Sequence, residues 1–281
     1  MPLKIVTADE RRATASKRGS VLIVGPTGCG KTSLLYTLPA DSTLALDYEG
    51  GFKSVQTWPG HSIELRTFLD TADVVALITG PDPALPNTEL LSVAHYEDVK
   101  KRYPDFDATS YENIFFDSVS ELSYAAKRWS MQQPRAFTDR GVADIRGAYG
   151  VLADAMLSLL RHLQHSQKNV FFVGKLMQDD KGQYEPMLEG AKTGRELPYI
   201  VDQVVSMSFF DQVDGAWRHN PAGGQTRAFC CRAGNPFGLP AKERTMGNIE
   251  MIEEPHLGKL IAKINAPVAA SAAAALTTNL K

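Results

Sequence analysis

Residues 25–32 read Gly25-Pro26-Thr27-Gly28-Cys29-Gly30-Lys31-Thr32, a full match to the phosphate-binding pattern G-x-x-x-x-G-K-[ST]. Each fixed position has a chemical task. Glycines let backbone N–H groups turn inward around phosphate oxygens. Lys31 would reach the β- and γ-phosphates of a nucleoside triphosphate, and the Thr32 hydroxyl would ligate Mg²⁺. The expected nucleotide contacts run from Gly25 through Ser33. Cys29 lies inside the loop, where a helix N-terminus would favour its thiolate; its other reading is a small loop residue.

Two later segments offer acids. Asn113-Ile114-Phe115-Phe116-Asp117 is an apolar run ending in a carboxylate, the arrangement that holds Mg²⁺ through water beside a phosphate loop. The alternative is a simple strand-terminating aspartate. Thr43-Leu44-Ala45-Leu46-Asp47-Tyr48-Glu49-Gly50-Gly51 delivers two acids soon after the loop. Side chains alternate along a strand, so Asp47 and Glu49 are expected to face the same way. A glutamate there can accept a proton from the water that attacks a γ-phosphate. A solvated acidic turn before Gly50-Gly51 is the other reading.

These groups need elements to position them. Val21–Val24 is a short apolar run suited to a buried strand. Thr32–Leu38 has apolar side chains at helical spacing and stops at Pro39. Thr43–Asp47, Asn113–Asp117 and Asn169–Val173 read as further strands of a buried parallel sheet, with Asp117 expected at a strand edge beside the first strand. Residues 142–165 predict a helix whose apolar face is Ile145, Tyr149, Leu152, Met156, Leu159 and Leu163. From Val201 the pattern changes. Val204–Phe210, Ala216–His219 and Arg227–Cys231 predict antiparallel strands, with Asp214-Gly215 and residues 221–224 as turns. The predicted organisation is a polar lead-in over 1–18, one α/β domain over 19–265 with a mainly parallel sheet and an antiparallel C-terminal extension, and an Ala-rich tail over 266–281. Residues 80–110, rich in Pro and Asp, read as a surface insertion around a short helix.

Composition narrows the function class. The 281 residues are 43% hydrophobic and 22% charged, with a net charge of −2, as in ordinary globular proteins. Nucleic-acid contact would therefore need a local basic patch. No apolar run approaches a membrane span. Cys29, Cys230 and Cys231 do not form a disulfide framework, and the cytoplasm is the expected compartment. A GTPase would need an Asn-Lys-x-Asp segment, and Asn-Lys does not occur. A small-molecule kinase would need no Asp-x-Glu on the next strand.

The loop, the strand ending in Asp47-Tyr48-Glu49, and the later Asp117-Ser118-Val119-Ser120-Glu121-Leu122 together resemble the RecA-type P-loop ATPases. The resemblance spans roughly residues 19–265. It implies a RecA-like α/β core, ATP and Mg²⁺ as ligands, Glu49 as general base and Asp117, with Thr32, on the metal side. The family ends its next strand with a polar sensor of the γ-phosphate, usually Gln; here Phe171-Phe172-Val173-Gly174 ends in Lys175. That lysine either pairs with the γ-phosphate or is a solvated strand-end residue.

Gly190-Ala191-Lys192, then Glu196–Val204, a β-meander and Ala241–Thr245 are similar to compact phage RecA-like single-strand annealing ATPases. Lys242-x-Arg244 also resembles the pair that DnaB-type helicases place across a subunit boundary on the neighbour's γ-phosphate. That likeness implies a homo-oligomer with ATP at its interfaces; a solvated basic turn is the alternative. The family's two DNA-facing loops correspond to residues 128–147 and 177–198. The first holds Arg128, Arg135, Arg140 and Arg146, and the second Lys181, Lys192 and Arg195, with Trp129, Phe137 and Tyr184 as candidate stacking residues. Single-stranded DNA is the implied partner, with a single-strand-binding protein as a further one. An annealing or recombination ATPase stands first. A helicase-type motor and a nucleotide-dependent loader with little turnover are the alternatives.

Overall fold

Strands buried on both faces need apolar side chains at successive positions, and Val21–Val24, Ile114–Phe116 and Val170–Val173 supply them. In the computed structural model, these runs form the centre of one mixed sheet. It describes Ile5, Thr7, Glu10 and residues 18–245 and 247–266. The expected lead-in and Ala-rich tail lie, apart from a few positions, outside the described residues.

The strands are β1 (Ser20–Gly25), β2 (Thr43–Asp47), β3 (His61–Glu64), β4 (Asn113–Asp117), β5 (Asn169–Gln178), β6 (Tyr184–Met187), β7 (Gln203–Val213), β8 (Ala216–His219), β9 (Thr226–Cys230) and β10 (Ile252–Glu253). Their order is β10-β9-β7-β1-β5-β4-β2-β3, with β6 paired to β5 and β8 to β7. From β7 through β3 every pairing is parallel. β6, β8, β9 and β10 pair antiparallel. The α-helices are α1 (Phe68–Thr79), α2 (Val93–Arg102), α3 (Val119–Ser130), α4 (Ile145–Gln164), α5 (Ala191–Ile200) and α6 (Leu257–Asn265).

Alternation sorts the core into two layers. Leu22, Leu46, Phe116 and Phe172 face a layer with Phe68, Leu122, Leu152 and Leu160 from α1, α3 and α4. Ile23, Ala45, Phe115 and Phe171 face the other, with Leu34, Leu35, Trp58, Leu257 and Leu260. Truncating one of these phenylalanines to alanine removes about 3–5 kcal/mol of stability. The sheet is thus a rigid base, and every parallel strand delivers its C-terminal end to one edge.

Four expectations change. The segment after the phosphate loop is not an α-helix but a six-residue 3₁₀ turn over Thr32–Thr37. Thr37 bonds its hydroxyl back to the Leu34 carbonyl, the Leu38 N–H closes on Leu35, and Pro39 forbids continuation. Strand β4 is not beside β1, because β5 runs between them. Helix α4 starts at Ile145 rather than Val142, since the Asp144 carboxylate caps the Gly147 N–H; Ile145 is 65% exposed and not on the apolar face. The 80–110 segment is more than a surface insertion. Leu91, Val99 and Ala108 are buried, and Asp73 of α1 receives both Arg102 and His95 of α2.

Candidate functional site

The loop leaves β1 at Gly25 with no room for a side chain. A Cβ there would lie 2.5 Å from the Met207 carbonyl and 2.8 Å from Cys29 Sγ. Gly30 adopts φ +95°, which other residues avoid. Lys31 folds over the loop, its Nζ donating to the carbonyls of Gly25 (2.8 Å) and Pro26 (2.9 Å). Cys29 is buried beneath the loop. Burial raises its pKa and outweighs the nearby charges of Lys31 and Arg227, so of the two readings the small, packed loop residue fits and the favoured thiolate does not. The six-residue 3₁₀ turn after the loop aligns few peptide dipoles, so the positive end expected there is weak.

Thr32 and Asp117 meet as the sequence implied. Thr32 Oγ1 donates to Asp117 Oδ2 at 2.7 Å. Asp117 is 4% exposed, and its pKa is raised to about 6. Burial is the main cause; the charges of Glu49 and Asp47 add to it, while the Thr32 hydroxyl and Lys31 oppose it. A hydroxyl and a buried carboxylate, with two further acids nearby and oxygen donors throughout, fit a divalent cation of the Mg²⁺ class. Such a cation would favour the ionised Asp117 that burial disfavours.

Asp47 and Glu49 do not share a task. β2 ends at Asp47, and the chain bends through Tyr48 and Glu49, so strand alternation stops there. Asp47 turns back to accept the N–H groups of Glu49 (3.0 Å) and Gly51 (3.4 Å). It shapes the turn that presents Glu49. Glu49 Oε1 accepts the Ser118 hydroxyl at 2.8 Å and lies 3.4 Å from Lys175 Nζ. Lys175 Nζ also sits 2.5 Å from Glu121 Oε1. Its pKa is raised. Burial works against the charge, but the hydrogen bond to Glu121 and the charges of Glu49 and Glu121 prevail.

Register explains why these groups converge. Asp47 lies opposite Asp117, Asp117 opposite Val173, and Lys175 opposite Gly25, the residue that begins the loop. Strand β5 therefore carries Lys175 to the loop between β1 and β4. Ser118 and Glu121 occur in the motif read from the sequence but carried no assigned role. The Ser-x-x-Glu spacing of Ser118 and Glu121 straight after the strand, a helix-start pattern, was the available signal.

Lys242 and Arg244 lie elsewhere in the chain. Lys242 Nζ donates to the carbonyls of Pro198 (2.7 Å), Val201 (2.5 Å) and Tyr199 (3.4 Å), closing the C-terminus of α5. Arg244 donates to the Tyr199 carbonyl at 3.2 Å and faces Asp202 at 3.6 Å. Neither approaches the loop of its own chain through any of these contacts.

The expected DNA-facing residues are dispersed. Arg128 and Trp129 belong to α3, and Trp129 packs on Phe68 with ring centroids 4.8 Å apart. Arg135 and Lys192 both pair with Asp154. Arg140, Arg146, Lys181 and Arg195 are exposed. Phe137 is exposed as well, whereas Tyr184 packs edge-on against His219.

The family model described as AAA domain (AAA_24) matches residues 17–245. No curated protein matches the sequence. Among solved structures, similarity is found to a prototypical ATPase from the type III secretion system of pathogenic bacteria, at 15% identity and a TM-score of 0.37. That match covers 68% of this chain and 51% of the ATPase, so the chain spans about half of its length. No helix among the described residues is long and apolar enough to cross a membrane.

Proposed function

The chain belongs to the AAA domain family, and from that premise we propose that it hydrolyses ATP with Mg²⁺ at the Gly25–Thr32 loop. The observation that carries this reading is the 2.7 Å bond from Thr32 to Asp117, with Glu49 held beside it by Ser118. Loop N–H groups and Lys31 would bind the phosphates. Thr32 and Asp117 would hold Mg²⁺, which supplies neutralisation of phosphate charge when bound. Glu49 takes a proton from water as the water oxygen bonds to the γ-phosphorus. The bond to the β,γ-bridging oxygen breaks, and ADP keeps that electron pair. Lys175 is close enough to Glu49 to exchange the carboxylate for a γ-phosphate oxygen.

The wider reading follows the resemblance to RecA-like annealing ATPases. Hydrolysis answers to single-stranded DNA and promotes strand annealing, in a homo-oligomer whose neighbour supplies Lys242 and Arg244. Support comes from the exposed Arg140, Arg146, Lys181 and Arg195, and from Arg244, whose side chain is 51% exposed. Mass measurement of the native protein with a non-hydrolysable ATP analogue, with and without single-stranded DNA, tests it. Assembly on both ligands, with a DNA-stimulated hydrolysis rate, is expected. A monomer that hydrolyses ATP at a DNA-independent rate would remove the wider reading and leave the ATPase.

A further inference from the structure

β1 stops at Gly25, where the chain turns into the phosphate loop, but its neighbour continues. The two strands are in register from Val21–Gln203 to Val24–Ser206. β7 then runs on to Val213, paired with β9 as far as Phe210. The β7–β9 ribbon thereby extends beyond the end of β1. On it, Phe209 lies opposite Arg227, and the Arg227 guanidinium sits over the Phe209 ring, 5.5 Å from its centroid. The same guanidinium touches the loop. A Cβ built on Gly30 would lie 2.9 Å from Arg227 Nη1 and 3.4 Å from Cζ. Arg227 is exposed, and among the described residues its guanidinium forms no ion pair with a carboxylate. Stacking holds this cation against phosphate-loop backbone and leaves its N–H donors free for an anion.

The direction of approach says which part of the ligand it meets. Asp117, Glu49 and Lys175 reach the loop from the β5–β4–β2 side, whereas Arg227 comes from the β7–β9 side, across β1. The γ-phosphate belongs with the acids that handle metal and water, so the nucleoside-proximal phosphates lie toward Arg227. Resting on the ATP reading above, we propose that Arg227 is a nucleotide-binding residue of this site, donating from its guanidinium to the α- or β-phosphate. Phe209 is its positioning residue. Gly30 is then constrained twice, by its positive φ and by the space its missing side chain leaves for Arg227.

The test is equilibrium binding of Mg–ATP, Mg–ADP and inorganic tripolyphosphate to wild type, Arg227→Gln and Arg227→Lys, each with a thermal melt in the absence of ligand. Arg227→Gln should weaken all three ligands by about 10- to 100-fold, the range for a lost charge-assisted contact. ATP and ADP should be affected equally, since the contact is not to the γ-phosphate. Arg227→Lys should recover part of the loss, and the unliganded melts should differ by no more than about 2–4 °C, since stacking on Phe209 contributes little at an exposed site. Wild-type affinities in Arg227→Gln would overturn the assignment. Loss for ATP and ADP with tripolyphosphate unaffected would also overturn it, by placing the guanidinium on the nucleoside. Loss confined to ATP would do so by placing it on the γ-phosphate. If Arg227→Gln does not fold, Arg227→Lys decides, since full wild-type affinity for ADP and weaker ATP in that variant contradicts the assignment. Failure of the wild type to bind any of the three ligands would instead sink the ATP reading itself, and Arg227 with it.

Discussion

Replacing Asp117 with asparagine should stabilise the unliganded protein while disabling it. Burial raises this carboxyl from 3.8 to about 6. A raised carboxyl pKa means that the folded state disfavours the ionised form. Below about pH 4 the group is protonated in both folded and unfolded chains and has no effect. As pH rises from about 4 through 6 the unfolded chain loses its proton first, and stability falls. At about 1.36 kcal/mol per pH unit, the loss is roughly 3 kcal/mol above about pH 7. Asparagine carries no charge and still accepts the Thr32 hydroxyl through Oδ1, so it avoids this loss. At about 2–4 °C per kcal/mol for a chain of this size, the unliganded variant should melt roughly 6–12 °C above wild type at pH 8. Thermal melts of both proteins from pH 5 to pH 8 would show the gap widening with pH. With Mg–ATP the order should reverse, because the charged carboxylate helps hold the cation far better than a neutral amide oxygen. An unliganded Asp117→Asn protein that melts below wild type at pH 8, or a gap independent of pH, would mean that burial does not disfavour the Asp117 charge.

Lys175→Ala should slow hydrolysis by about 10²-fold, as expected for loss of a positioned cation. Its stability should change by under about 1 kcal/mol, since the ion pairs are one-third exposed; an unchanged rate would reduce Lys175 to a strand-end lysine. Cys29 is buried with its pKa raised, so a thiol-alkylating reagent should label it slowly in the native protein and rapidly in urea. Native labelling at the rate of a free thiol would contradict its packed position. Lys242→Met should lower stability by about 1–3 kcal/mol, because the carbonyls closing α5 lose their donor. A denaturant midpoint equal to wild type would contradict that role.

What could be read in the residues depended on how local each signal was. The loop glycines, the strand Thr43–Asp47 and the strand Asn113–Asp117 were legible because composition within a few residues determines them, and both strands begin and end where expected. β3 was missed because His61-Ser62-Ile63-Glu64 is polar and sits on the sheet edge, where one side of the ladder is unpaired. α1 was missed too, although Thr67 and Asp70 form a capping box at its start, a signal the sequence does carry. The order of β5 between β1 and β4 cannot be read from local pattern. It decides that Lys175 meets both Glu49 and Glu121, residues 126 and 54 positions away. Arg227 was invisible for the same reason, since only the overhang of β7 past β1 brings it to Gly30. The Lys242-x-Arg244 pattern was conspicuous in the sequence because it is local, yet within this chain its side chains close α5.

We propose Glu49, presented by the Asp47 turn and held by Ser118, as the base of the ATP-hydrolysing site. Single-turnover hydrolysis of Mg–ATP by wild type and Glu49→Gln, alongside ATP binding by both, tests it directly. Binding should stay within a few fold of wild type, and the hydrolysis step should slow by about 10²–10⁴-fold in the variant. Equal single-turnover rates in the two proteins would contradict it.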